Sequence, residues 1–331
     1  MKIEHVSRAA IDSEAWNGCV ASSPNRIIYG YSWYLDAVTN LTNWKWAGLV
    51  MSNQSGNYVA VMPVPLRRKY GIWVVHQPLF CQFLGVFGAK LTPDLEDDFA
   101  QALLKCYWYG SIFHLRLPEK NSLFRAMPFT ANRCHTHLLD LDQSYETIHQ
   151  HYSSDTRRHL RQAQSAPWRV QESTDPAPLF ALFRQHHAQQ IPGGVGEWAY
   201  DLFGNLLREL QKRGLATLRY AVQEGEIEAG AVFVEIDNRI IYLFNAASET
   251  GRRNHARTLL IDQIIGEQAG RKEVLFDFES PSNQSVARFY QGFGATASPF
   301  WAVRWSRLPW LMRIGRSGTC RHASAKLRGR F

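Results

Sequence analysis

The chain has no Cys-x-x-Cys pair, and its five cysteines (Cys19, Cys81, Cys106, Cys134 and Cys320) are widely spaced. An odd, scattered set argues against a disulfide framework and fits reduced thiols in a cytoplasmic protein. His135 and His137 share a strand face beside Cys134, but no third ligand is identifiable, so no metal is expected. GxSxG and Walker sequences are absent too, which removes the serine-hydrolase elbow and the P-loop. GGVGEW, Gly193 to Trp198, lacks the preceding strand of a dinucleotide fingerprint and reads as a loop between helices, positioned to cover an acceptor. His186 and His187 adjoin on a helix and point different ways.

Long apolar runs are also missing. The longest tract, Gly71 to Gly88, is interrupted by His76, Gln77, Pro78 and Gln82, which excludes a bilayer span and leaves buried strands with a turn. The amino end carries Glu4, Asp12 and Glu14 and does not read as a secretory signal, so the expected location is cytoplasmic.

What is present suffices for two folded domains: 331 residues, 45% apolar and 13% aromatic. A balance of 37 basic against 29 acidic residues gives +8, which favours an anionic partner. The tail beyond Trp305 is basic throughout (Arg307, Arg313, Arg316, Arg321, Lys326, Arg328, Arg330). It reads as a solvated end, with RNA or peripheral membrane contact as the other readings, the latter helped by Trp310, Leu311 and Met312.

Residues 216 onward are the most legible. ATLRYAV, a turn at Glu224 to Glu226, IEAGAVFVEI, a turn at Asp237 and Asn238, and RIIYLFNAA predict an antiparallel meander. Helical spacing follows over residues 252 to 268, closed by Gly270, then the strand EVLFDFE. Ser280 before Pro281 predicts the cap of a short helix running through Gln291, and ATASPFWAVRW is the last strand. Upstream, helices are expected over Pro178 to Gln190 and Glu197 to Arg213. The first 140 residues repeat this order faintly: strands at WAGLVMS, YVAVMPVPL, SIFHLRL and HTHLLDL, and a helix near LEDDFAQALLKCYWY. LPEKNSLFRAM, Leu117 to Met127, resembles ESPSNQSVARFY without its tyrosine.

The spacing from Asn283 through Val286, Phe289 and Tyr290 to Gly294 and Ala295 resembles the closing motif of the GNAT superfamily of acyltransferases. Valine replaces its alanine and Ala295 its phenylalanine. With SYETIHQHYSSDTRRHLRQAQ (Ser144 to Gln164), the chain is similar to the FemAB-like branch. That resemblance implies an α+β fold of two tandem GNAT-like domains, with mixed, mostly antiparallel sheets flanked by helices. Residues 1–140 would be a degenerate first domain, 141–305 the acyltransferase domain, and 306–331 a tail. It also implies acyl (or aminoacyl) transfer from a thioester donor such as acyl-CoA to a small-molecule or peptide amine, with Tyr290 as general acid toward the leaving thiolate and Asn283 contacting the pantetheine arm or holding the helix start. A charged tRNA donor acting on a cell-wall or peptide acceptor, and a non-catalytic binding protein, are the alternatives. For tRNA the basic track would be Arg157, Arg158 and Arg161, which equally reads as a solvated helix face.

The donor's pyrophosphate would meet the helix start at Arg252, Arg253, Asn254, His255 and Ala256. Only Ala256 fits the family's small-residue pattern there; Asn254 carries a side chain where glycine is preferred, and Gly251 stands where Arg or Gln is usual. Glu279 is the candidate base, with Asp277 two residues back on the same strand face. Both carboxylates read equally as a helix cap or as partners of a buried arginine.

Overall fold

A computed structural model describes residues 2–69, 71–116, 129–280 and 283–307. The segment LPEKNSLFRAM, Pro281 and the tail beyond Arg307 lie outside the described residues. Two compact units result, residues 2–134 with 299–307, and residues 135–298. The end of the last strand thus belongs to the first unit.

In the first unit, β1 (Ile3–Ser7), β2 (Trp44–Ser52), β3 (Tyr58–Lys69) and β4 (Ile72–His76) pair antiparallel in sequence order. β5 (Phe87–Gly88) adds to β3, and β6 (Tyr109–Leu115) runs parallel to β4. Trp301 to Ser306 of the last strand pair antiparallel with β6. The β2–β3 turn is shaped by Asn53, whose side chain accepts from the Ser55 and Asn57 amides, and by Gly56 at φ +83°. Helix Pro93–Cys106 starts as its sequence dictates, with Thr92 accepting from the Leu95 amide and Pro93 in the first turn. It buries Phe99, Leu103 and Leu104.

The second unit has the order β7–β12–β11–β10–β9–β8, where β7 is Phe129–Asp140, β8 Arg169–Ser173, β9 Ala216–Gln223, β10 Glu226–Ile236, β11 Arg239–Ala247 and β12 Leu275–Asp277. The expected meander is present as β9–β10–β11, antiparallel throughout. Glu224 and Gly225 both take positive φ (54° and 86°), the mirror-image turn that matches strand twist. β11 and β12 are parallel and joined by the crossover helix Ala256–Gln268. Helices Ala177–His186 and Glu197–Lys212 bury Leu179, Phe183, Phe203 and Leu206 among others. β8, on the far edge, has no counterpart in the sequence reading: its pattern is half-buried and polar, as an edge strand's often is.

Three expectations need correction. The last helix spans Gln284–Gln291 and its cap is Asn283, whose side chain accepts from the Ser285 amide. Ser280 does not cap it; its hydroxyl meets His137 Nδ1 at 2.8 Å. The helix expected over 252–268 is two helices, Glu249–Arg253 and Ala256–Gln268, separated where His255 takes a left-handed φ of 54°. EVLFDFE shortens to Leu275–Asp277 because the chain turns at Glu279, φ 46°.

Candidate functional site

β12 ends at Asp277, opposite Ile241, whereas β11 continues to Ala247. The two parallel strands therefore pair over three residues and then part. Tyr242 is the first residue of β11 past that point. Its hydroxyl is buried with no hydrogen-bond partner among the described residues.

Tyr290, from helix Gln284–Gln291, packs here. Its ring stacks on Phe278 (centroids 4.7 Å, 28° between planes) and stands edge-on to Tyr242. It is 4% exposed. Burial is the main force on the phenol and pushes it up to about 12, with Glu279 adding to the rise and the Arg257 guanidinium opposing it. So the hydroxyl, although packed among aromatic rings, lies within the field of one cation and one carboxylate. Arg257 donates from Nη1 to Asn245 Oδ1 (3.1 Å), and its guanidinium carbon lies 5.9 Å from the Phe289 ring centroid.

His187, the C-cap of helix Ala177–His186, also reaches β11: Nε2 lies 3.1 Å from both the amide nitrogen and the carbonyl oxygen of Ala247, accepting from the one or donating to the other according to its tautomer. Burial, then the nearby Arg257, lowers its pKa to about 4. Adjacent sequence position marked this residue only as one of a histidine pair; its contact with β11 depends on sequence separation no local pattern encodes.

Asp277 and Glu279 do not form a carboxylate pair. Asp277 is fully buried, bonded to Arg239 Nη1 at 2.7 Å and accepting from Thr136 Oγ1 at 2.6 Å. Its Oδ1 also accepts from the Glu279 amide at 3.0 Å, so it fixes the turn that carries Glu279. The strand alternation on which the same-face reading rested stops at Asp277. His137 is likewise committed, its Nδ1 to Ser280 Oγ and its Nε2 to the Gln291 side-chain Nε2 (3.1 Å). Its ring holds the chain on both sides of the Asn283 and Tyr290 segment. Among the described residues no cluster of three His, Cys, Asp or Glu side chains is arranged to hold a metal ion.

At the expected donor site the side chains diverge. Arg252 Nη1 donates to the Ala247 carbonyl (2.8 Å), and Arg253 pairs with Glu249 on the surface. The Asn254 amide turns to Gln223 (3.4 Å), and its carbonyl accepts from Trp168 Nε1 (3.2 Å). His255 stacks on His159 (centroids 3.9 Å, 14°); burial, His159 and Arg158 all lower its pKa. Ala256 is fully buried. The helix start is therefore small at Ala256 as the pattern asks, whereas Asn254, where the pattern has glycine, turns its side chain to Gln223 and the next residue, His255, stacks on His159. Gly251 is explained by packing: a Cβ there would lie 2.1 Å from the Glu228 carbonyl oxygen.

Of the basic track, Arg157 is used internally, donating to the carbonyls of Gln150 and Tyr152. Arg158 pairs with Asp155, and Arg161 is exposed.

Residues 150–282 match the family model described as an acetyltransferase (GNAT) domain. No curated protein matches the chain by sequence. Among solved structures, FemX superposes with a TM-score of 0.63 at 12% identity, covering 91% of this chain and 97% of FemX. A tandem GNAT protein from the clavulanic acid biosynthesis pathway gives 0.51 at 13% identity, with coverages of 92% and 98%. L-PGS from Bacillus licheniformis gives 0.50 at 14% identity, with 97% and 98%. The fold is thus the tandem-GNAT, FemAB-like one. No helix among the described residues is long and apolar enough to cross a membrane.

Proposed function

With a GNAT acetyltransferase domain at residues 150–282 as premise, we propose that this chain moves an acyl group from a thioester such as acyl-CoA to an amine, at the parting of β11 and β12. The observation that supports this is the gathering of Tyr242, Tyr290, Arg257 and Glu279 beside that parting. The amine nitrogen attacks the thioester carbonyl carbon, the carbon–sulfur bond breaks, and an amide and a thiol result. Glu279 accepts the proton lost by the amine. Tyr290 gives its phenolic proton to the departing sulfur.

A phenol pushed up to about 12 is fully protonated at neutral pH, as a proton donor must be. It also parts with its proton reluctantly: a thiol near 8.5 is the stronger acid by about 3.5 in pKa, or about 5 kcal/mol. Arg257 is the group that reduces this difference, since its charge favours the phenolate. Asn283 serves as the helix cap that aims the segment. The donor's phosphates would meet the turn before Ala256, where Arg158, His159 and His255 supply positive or protonatable groups at the amino end of a helix.

The test is thiol release by the purified protein, followed with acyl-CoAs and a panel of amines, with thermal shift as the binding readout. Release that depends on both donor and amine and is lost in Tyr290→Phe supports the reading. Binding without release would make the chain a binding protein. No thiol release, with transfer of the aminoacyl group from charged tRNA to the amine and a freed ribose hydroxyl as the other product, would move the donor to the aminoacyl class.

A further inference from the structure

No aspartate or glutamate occurs between residues 37 and 93, while Lys45, Arg67, Arg68, Lys69 and Lys90 do. Folding of the first unit brings most of these together at one end of its sheet. Trp44 pairs with Arg67, Arg68 with Trp73, and Lys69 with Ile72. Lys45 Nζ lies 4.2 Å from the Trp73 ring centroid, and the Arg67 guanidinium 5.4 Å from that of Trp44. At the tip, beside Gly71 with φ +81°, Ile72 is 41% exposed, unusual for an aliphatic side chain.

No ion pair joins Lys45, Arg67 or Arg68 to a carboxylate among the described residues. Asp36, the last acid before this stretch in sequence, is engaged by Arg8 and by Trp46 Nε1, each at 2.7 Å. Lys69 donates to Ser111 Oγ at 3.3 Å.

We propose that the surface formed by Ile72, Trp44, Trp73, Lys45, Arg67 and Arg68, where β2, β3 and β4 meet, is a docking surface for an anionic lipid bilayer, with Ile72 entering the headgroup boundary, Trp44 and Trp73 lying at its level, and Lys45, Arg67 and Arg68 meeting lipid phosphates. An exposed aliphatic side chain, indoles and unpaired cations gathered together are what an acidic membrane surface selects. Single-stranded nucleic acid also attracts aromatic and basic groups, but bases stack on open ring faces. Here a cation covers a face of each indole, and the exposed side chain beside them, Ile72, is aliphatic. The proposal is independent of the acyl-transfer reading and of the basic tail.

Co-sedimentation of the full-length protein with vesicles tests it, using phosphatidylcholine alone and phosphatidylcholine mixed with phosphatidylglycerol. Binding is expected only to the mixed vesicles, and to weaken with salt. I72E and the double variant K45E/R68E, both at surface positions, are expected to reduce the bound fraction at least about tenfold, each charge near the membrane contributing about 1 kcal/mol, with an unchanged melting temperature. The triple tail variant R313A/R316A/R321A should retain most binding. Hairpin variants that bind like the wild type, equal binding to neutral vesicles, loss in the tail variant alone, or displacement from vesicles by a single-stranded oligonucleotide that binds through the same residues would each overturn it.

Discussion

Tyr290 meets Tyr242 edge to face, ring centroids 6.2 Å apart and planes at 88°. One phenol is the candidate acid; the other carries a buried hydroxyl without a hydrogen-bond partner among the described residues. Their substitutions should therefore differ in sign. Tyr290→Phe is expected to lower kcat by about 10²–10⁴ with the fold intact, the usual range for a lost general acid. Tyr242→Phe is expected to raise stability by about 1 kcal/mol, because it removes a desolvated polar atom that no described residue hydrogen-bonds. Turnover and urea midpoints of the two variants check both.

The ion pair of Arg239 and Asp277 is buried on both sides. Asp277→Ala leaves a buried guanidinium unmatched and is expected to cost about 3–5 kcal/mol. Arg239→Met combined with it should recover much of that loss, which a double-mutant cycle in urea measures.

Gly251→Ala should destabilise by about 1–3 kcal/mol, as forced overpacking does. The added carbon would meet the backbone carbonyl of Glu228, which cannot rotate away. The melting temperature reports it, and donor affinity should fall with it, since Glu249–Arg253 leads directly into the turn before Ala256.

His187 gives a pH signature. Above about pH 6.5 its ring is neutral in both folded and unfolded chains and contributes no slope. As pH falls from 6.5 toward the folded value of about 4, only the unfolded chain takes up the proton, so stability is lost through that window. In His187→Gln that component disappears, and the wild-type minus variant difference in melting temperature between pH 7.5 and pH 5 isolates it.

Arg157→Ala should reduce stability by about 1 kcal/mol through two lost carbonyl contacts. If any RNA is bound, its affinity should respond instead to Arg158→Ala and Arg161→Ala. Melting curves and filter binding separate the two effects.

The meander, its two turns and the long helices were legible because each is written in local periodicity and turn residues. The tyrosine and asparagine of the last helix were legible through spacing, although the cap fell three residues later than Ser280. What escaped depends on distant partners. Asp277 looked like half of an acid pair because nothing near it in sequence reveals Arg239 and Thr136. The break at His255 escaped because a left-handed histidine has no compositional mark, unlike a glycine or proline. His187 and Arg257 reach the site only through the folded sheet.

One feature of the second unit sets how the site can change. Because the imidazole of His137 meets both the Ser280 hydroxyl and the Gln291 side chain, one residue of β7 tethers the end of the turn after β12 and the end of the last helix, so a change at His137 would loosen two anchors of the Tyr290 helix at once.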